Sequence, residues 1–352
     1  MANEADISEN NLLRDHPVVL QKLLMDHTTH KNIFWATDSY AEMGDGYCFA
    51  DEITTEHITG EHGRIIRPRA VKSAEVQSQR SKDMAEVFTP AWICNAQNNL
   101  IDEAWFGRKN VFNIENESDH TWIPTEERII FSEEKGETWQ DYVKDTRLEI
   151  TCGEGPYLMS RYDAVTGDVI LPLNRRVGLL DRKLRVVSEN TTKSGEWLTW
   201  GKEALMAIYG FEWQGDNLLL AREAAFYTFC DYYEAKFGKP VPKKSLEGMA
   251  YIISWNLWQM DGLKMVLPGS CGKKECCINQ TEIDQKNKEE RISPTLFNEP
   301  IEPIWEIREC EGCKTGDVNR HNGIYCRVRD WNYTGNDEDK RKPFFITLLN
   351  NK

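Results

Sequence analysis

Six of the ten cysteines fall between Cys271 and Cys326, and two pairs among them have spacings suited to a metal ion. Cys271 with Cys276 is a C-x4-C pair and Cys310 with Cys313 is a C-x-x-C pair, so two chain turns each present two thiolates to one centre. Four sulfurs close a tetrahedral shell and leave no position for a reacting water, which makes the expected ion a structural zinc. Gly272-Lys273-Lys274 and Lys314-Thr315-Gly316 suit the tight turns such knuckles need, and His321 and Cys326 come after the second pair. The competing reading of the same residues is a set of free thiols in a loop-rich tail.

A second chemistry is written in glycines and acids. Leu148 to Ile150 reads as a strand running into Thr151-Cys152-Gly153-Glu154-Gly155-Pro156-Tyr157. There Gly153 and Gly155 allow a tight turn and a close backbone approach to a ligand, and Pro156 is suited to open a helix. A later strand, Ala207 to Phe211, ends in Glu212, whose carboxylate can accept from two ribose hydroxyls. Asp261, following an expected buried strand Ile252 to Asn256, is placed to receive an adenine amino group. No G-x-x-x-x-G-K-[ST] phosphate loop occurs, and Glu154 would repel a pyrophosphate. The expected ligand is therefore a phosphate-free adenosine. S-adenosylmethionine is one, and Glu149 or Glu154 would hold its ammonium.

The elements that must position these groups alternate from Val87 onward. Thr89-Pro90 reads as a cap and a first helical residue, with Ile93, Ala96 and Leu100 recurring at helical spacing; Asp216 to Phe237 reads as a helix stopped by Gly238. Strand, turn and helix in this order predict an α/β fold with its ligand at the carboxyl ends of the strands. Before it lies a helical N-terminal region, 1–86, that includes an amphipathic stretch from Val18 to Met25. Residues 87–265 form the expected cofactor domain with an insertion near 165–200, and 266–352 a Cys-rich region.

Charge and hydropathy set further bounds. Lys plus Arg number 43 against 57 Asp plus Glu, a net charge of -14. Such a chain repels nucleic acid unless its cations are gathered locally. Two clusters fit that need: Arg64, Arg67, Arg69, Lys72, Arg80 and Lys82, and then Arg175, Arg176, Arg182, Lys183 and Arg185. No apolar run approaches 18 residues, so no membrane span is expected. The acidic start carries no secretory pattern, and the expected location is the cytoplasm. The pairs His27/His30 and His57/His62 lack an H-E-x-x-H form and stay unassigned.

Four of these segments together resemble a family. Ala85-Glu86-Val87-Phe88-Thr89-Pro90 looks like the G-E-V/F-F-T-P segment of N6-adenine DNA methyltransferases, notably the modification subunits of restriction-modification systems. Glu149 to Tyr157 resembles their D-P-A-C-G-S-G-x-F loop, and Ile208 to Glu212 the next strand with its ribose-binding acid. Asp261-Gly262-Leu263 is similar to their G-D-x-L element. The match keeps family order over roughly half the chain. It implies a Rossmann-like S-adenosylmethionine-dependent methyltransferase fold and transfer of a methyl to N6 of an extruded adenine in double-stranded DNA, with a restriction or specificity subunit as a further partner. It also implies cofactor contacts from Phe88, Thr89, Pro90, Glu149, Cys152, Gly153, Glu154, Gly155, Glu212 and Asp261.

Two departures stand out. Gly155 and Glu212 are too far apart for a compact unit, and the family's D/N/S-P-P-Y/F/W catalytic loop is missing: none of the 13 prolines adjoins another. Ser293-Pro294-Thr295-Leu296-Phe297 is the nearest segment, and the catalytic residues stay unassigned. Two alternatives remain: a catalytically inactive cofactor-fold subunit that binds DNA or supports a partner, and an acidic DNA mimic, which the basic clusters oppose.

Overall fold

The computed structural model describes residues 7–84, 86–132, 137–277 and 305–350, with the side chains at 83, 84, 274–277, 305, 306 and 350 excepted. Ser8 accepts from the Asn11 N–H and starts α1 (Glu9–Asp15). Pro17 then opens α2 (Pro17–Leu24), which turns Val19, Leu20, Leu23 and Leu24 inwards, as the amphipathic pattern predicts. β1 (Met25–Asp26) and β2 (Lys31–Asn32) pair antiparallel. After them come α3 (Thr55–Ile58), α4 (Ala74–Met84) and α5 (Ala91–Phe106), then the hairpin β3 (Asn113–Asn116) and β4 (Thr121–Pro124), and α6 (Trp139–Lys144).

The middle of the chain builds the sheet that carries the site. β5 (Arg147–Glu149) leads through a long loop to α7 (Leu179–Asn190) and α8 (Ser194–Met206) before β6 (Ile208–Glu212). Then α9 (Gly215–Phe237) and α10 (Lys243–Asn256) precede β7 (Leu257–Gln259). The three strands form one parallel sheet in the order β5-β6-β7, with Glu149 opposite Gly210 and Glu212 opposite Gln259. Parallel neighbours need long crossovers, and the two helices in each connection supply them. A last antiparallel pair, β8 (Lys274–Cys277) and β9 (Trp305–Arg308), precedes a short helix, Glu311–Thr315.

One apolar cluster runs from Leu12 to Leu257, and a second joins Phe211 and Trp258 to Cys326 and Phe345. Cores therefore cross both expected boundaries, at 86 and at 265. The fold is mixed α/β, and Gly238 ends α9 in the left-handed conformation as expected.

Three expectations change. Ile252 to Asn256 is the last part of α10 rather than a strand, because Leu246, Met249, Ala250 and Ile253 face inwards together at helical spacing. Pro156 opens no helix; the chain stays without an α-helix until Leu179. The distance between Gly155 and Glu212 is filled by α7 and α8, which belong to the main core instead of a DNA-facing insertion.

That last change removes most of the second basic cluster from the surface. α5 buries Asn95, Asn98 and Asp102 on its inner face while Leu100 is left exposed. The polar face meets Arg182, whose guanidinium lies 2.5 Å from Asp102 and donates to Asn95 at 2.9 Å. Tyr142 also donates to Asp102, at 2.9 Å. Lys183 is buried and donates to the carbonyls of Tyr142, Val143 and Asp145 at the end of α6. Arg176 is buried against Asp231 at 2.9 Å. Arg182, Lys183 and Arg176 thus hold protein together, and only Arg175 of the five cations in this cluster is exposed.

Removing one partner of a buried ion pair leaves the other charge uncompensated. Asp102→Ala is expected to cost about 3 to 5 kcal/mol in urea unfolding, against less than about 0.5 kcal/mol for Arg175→Ala. Equal effects of the two variants would remove the α5–α7 ion pair from its role.

Candidate functional site

At the carboxyl ends of β5 and β6 the chain turns away from the sheet and leaves an open cleft of about 1180 Å³. Its floor is built from the two residues that the glycine turn and the strand end single out. Gly153, at φ +54°, donates its N–H to Glu212 at 2.9 Å, and the Gln214 N–H reaches the other Glu212 oxygen at 3.2 Å. The Cys152 N–H extends the strand contact by donating to the Phe211 carbonyl at 2.8 Å. Phe88 forms a wall beside Gly153, under the Arg69 guanidinium, which lies 5.4 Å from the ring centre.

The opposite wall comes from the N-terminal region. Gln259, at the end of β7, donates to the Phe34 carbonyl at 2.8 Å and to the Trp213 carbonyl at 2.9 Å; Trp213 in turn donates to the Ala36 carbonyl at 3.1 Å. These bonds fix the stretch that carries Thr37, Asp38 and Phe49 along the cleft. On the Phe88 side of the cleft, Arg80 pairs with Glu86 at 2.8 Å and with Asp216 at 2.9 Å, and Lys72 and Tyr40 also reach Asp216. Burial works against the Asp216 charge, but Arg80 and Lys72 outweigh it and hold the carboxyl well below its usual range.

The residues expected to touch a cofactor therefore separate. Phe88, Gly153 and Glu212 line the cleft. Glu149, Cys152, Glu154 and Gly155 shape the turn: Glu149 accepts from the Tyr157 and Leu158 N–H groups, and Glu154 from the Arg69 N–H at 2.6 Å and the Tyr162 hydroxyl at 2.5 Å. Thr89 and Pro90 lead into α5 and do not line the cleft. Asp261 caps its own turn, accepting from the Leu263 and Lys264 N–H groups, and does not line the cleft either. Of the first basic cluster Arg64, Arg67 and Lys82 are exposed, whereas Lys72, Arg69 and Arg80 are turned towards the buried acids. Trp213, next to Glu212 in sequence, is a readable signal for the wall; Phe49 and Asp38 arrive from far away in the chain and leave none. The segment Ser293 to Phe297 lies outside the described residues.

A separate cluster lies in the C-terminal region. Cys271, Cys310, Cys313 and His321 bring three sulfurs and one ring nitrogen within 4.8 Å of one another, a set that could hold a metal ion. Three of the four expected ligands are in it. The side chain of Cys276 lies outside the described residues, and His321 supplies the fourth donor of the described set. In sequence it stands eight residues beyond Cys313, close enough for a histidine to complete a Cys3His site.

Burial raises the carboxyls of Glu154 and Glu212 to about 7, from an ordinary value of 4.5. Folding then favours their protonated forms, so this contribution to stability is complete below about pH 4.5 and is lost as the pH rises through about 7. Unfolding midpoints measured across that interval should fall more steeply for the wild type than for Glu154→Gln, which cannot ionise; identical slopes would show that the carboxyl does not titrate there. No family model matches the chain, nor does any curated protein or solved structure.

Proposed function

We propose that the cleft binds S-adenosylmethionine and that the chain is an adenine-specific DNA methyltransferase, or the modification subunit of a restriction-modification system, on a Rossmann-like fold. The observation that carries the reading is the meeting of Gly153 and Glu212 at the floor of a cleft, at the carboxyl ends of adjacent parallel strands. A carboxylate has about four lone-pair positions, and two N–H groups occupy only part of them at Glu212. The remainder suits two ribose hydroxyls. Asp38, Glu42 and Lys82 bring both signs of charge to the lining, which suits the zwitterionic end of an amino acid.

When bound, that cofactor supplies the methyl group. The residues of this chain position it: Phe88 limits the cleft beside the glycine turn, and the Arg80–Glu86–Asp216 network fixes α4 and the start of α9 around it. Arg64 and Arg67 stay exposed a few residues from Arg69, where the chain is tied to Glu154, and with Lys82 and Arg175 they are the cations of the expected set available to a phosphate backbone. The second reading, a cofactor-fold subunit that binds without catalysing, is favoured by the absence of adjacent prolines. Extruding a base costs a few kcal/mol, and a rigid loop with an aromatic clamp is what offsets it.

Calorimetry with S-adenosylmethionine and S-adenosylhomocysteine tests the shared part of both readings. Wild-type protein is expected to bind; Glu212→Ala should weaken binding roughly tenfold to a hundredfold through lost hydrogen bonds to the ribose hydroxyls. Gly153→Val should abolish it, since a branched side chain is strained at positive φ and enters the cleft. No affinity at millimolar ligand removes the methyltransferase reading. A methyl-transfer assay on mixed DNA then separates enzyme from partner, and weak or absent transfer by the isolated chain is expected.

A further inference from the structure

The C-x-x-C turn is built around the sulfur of its first residue. Cys310 caps the short helix Glu311–Thr315, and its Sγ receives the N–H of Cys313 at 3.5 Å and that of Asn322 at 3.4 Å. Such N–H groups favour a thiolate over a thiol. Gly312 allows the His321 ring to close in: a Cβ there would lie 2.6 Å from Nδ1. That nitrogen is 3.3 Å from the Cys271 Sγ, 3.4 Å from that of Cys310 and 3.8 Å from that of Cys313. Cys271 is 3.2 and 3.4 Å from the other two sulfurs. Zinc bonds of ~2.3 Å to sulfur and ~2.0 Å to nitrogen give tetrahedral edges of roughly 3.8 Å between sulfurs and roughly 3.5 Å from sulfur to nitrogen; the S–N separations agree, and the S–S separations are a few tenths of an ångström shorter. A disulfide needs a separation of about 2.0 Å and would leave the remaining donors idle.

The cluster is tied to the cleft by a ribbon of chain. From β7 the backbone runs through the Asp261 turn, where the Asp261 N–H meets the Val266 carbonyl at 2.8 Å, to Cys271. Alongside it runs the segment just after His321: Leu267 donates to Ile324 at 2.8 Å, Cys326 donates to Met265 at 3.1 Å, and the Asn322 amide bonds both backbone groups of Gly272. Gly269, two residues before Cys271, stands at φ +68°, and a Cβ on it would lie 2.8 Å from the Phe49 ring. Phe49 lines the cleft and meets the Trp213 ring edge-on, with centroids 6.5 Å apart. The wall of the cleft thus rests on a ribbon whose far end is the cluster.

We propose that Cys271, Cys310, Cys313 and Nδ1 of His321 bind one zinc ion in a closed structural site, and that the ion holds the Phe49 wall of the cleft in place. The four donors fill the coordination shell, so the ion takes no part in chemistry. It joins Cys271 to Cys310 across 39 positions of sequence and thereby fixes the ribbon on which Phe49 leans.

Elemental analysis of full-length protein purified without chelator is the first test. One zinc per chain is expected, lost in Cys313→Ser and in His321→Ala and retained in Cys276→Ser and in Cys48→Ser. If those variants fail to fold, cobalt exchanged into the wild type should give the charge-transfer and ligand-field bands of a tetrahedral thiolate site. Amide exchange before and after metal removal reads the second part: protection should fall at residues 45–50 and 261–271 and persist in α9. No zinc in the wild type with no cobalt spectrum, or zinc lost in Cys276→Ser but kept in His321→Ala, overturns the ligand set. Metal loss that leaves exchange at 45–50 unchanged overturns the link to the cleft. None of these readouts depends on S-adenosylmethionine.

Discussion

Three carboxyl groups converge on the turn after β5, and satisfying them shapes the surrounding structure. Glu149, Glu154 and Glu212 are turned inwards, where an ionised carboxylate is costly without donors. Glu212 takes the Gly153 N–H, which pins the turn to the end of β6. Glu149 takes two N–H groups from the residues beyond the turn and folds the chain back onto the strand it has just left. Glu154 reaches outwards to Arg69 and Tyr162, and so draws the N-terminal region over the sheet edge. Each acid thus fixes a different segment against the same short loop. The cleft is what remains between those segments.

The part of this arrangement that is local in sequence is legible there. A strand, a glycine pair, a second strand and a terminal acid are signals within a few residues, and the structure places Gly153 against Glu212. The Gly238 stop of α9 is of the same kind. Pairings made across long separations leave no such trace. The cations at 176, 182 and 183 read as a surface patch because nothing local shows that Asp231, Asp102 and three carbonyls of the α6 segment lie opposite them. Likewise Ile252 to Asn256 is an apolar run too short for periodicity to separate a strand from the end of a helix. In the C-terminal region, spacing alone finds three of the four described donors. A symmetric four-sulfur set leaves out His321, because a histidine eight residues past a C-x-x-C pair signals a ligand only once the fold brings its ring back to the sulfurs.

The buried ion pairs also change how the acidic charge should be understood. Arg80, Arg176 and Arg182 are used inside the protein against Glu86, Asp216, Asp231 and Asp102. Such pairs add little net stability over apolar packing, yet each is costly to break, so they fix geometry more than they add to the free energy of folding. Nucleic-acid contact is constrained in the same way. Lys72, Arg69 and Arg80 serve the interior, which reduces the expected phosphate-facing set to Arg64, Arg67, Lys82 and Arg175. Any grip on a phosphate backbone by these four exposed residues is local and salt-sensitive, because the acidic remainder of the surface repels it.

The cleft then has two kinds of wall. On the side of Phe88 and Arg80, the support is electrostatic: ion pairs and a guanidinium over a ring. On the side of Phe49, the support is a ribbon of backbone hydrogen bonds between residues 265–267 and 324–326, extended by the Asn322 amide to Gly272 and joined to the sheet through β7. Backbone ribbons of this length are marginal on their own. A covalent-strength crosslink at the open end is a physical remedy, and three thiols with an imidazole converge at that end. A ligand entering between the two walls meets one surface held by buried ion pairs, which salt screens little, and another that depends on the C-terminal cluster. The parallel sheet supplies the floor, and the elements before and after it supply the sides.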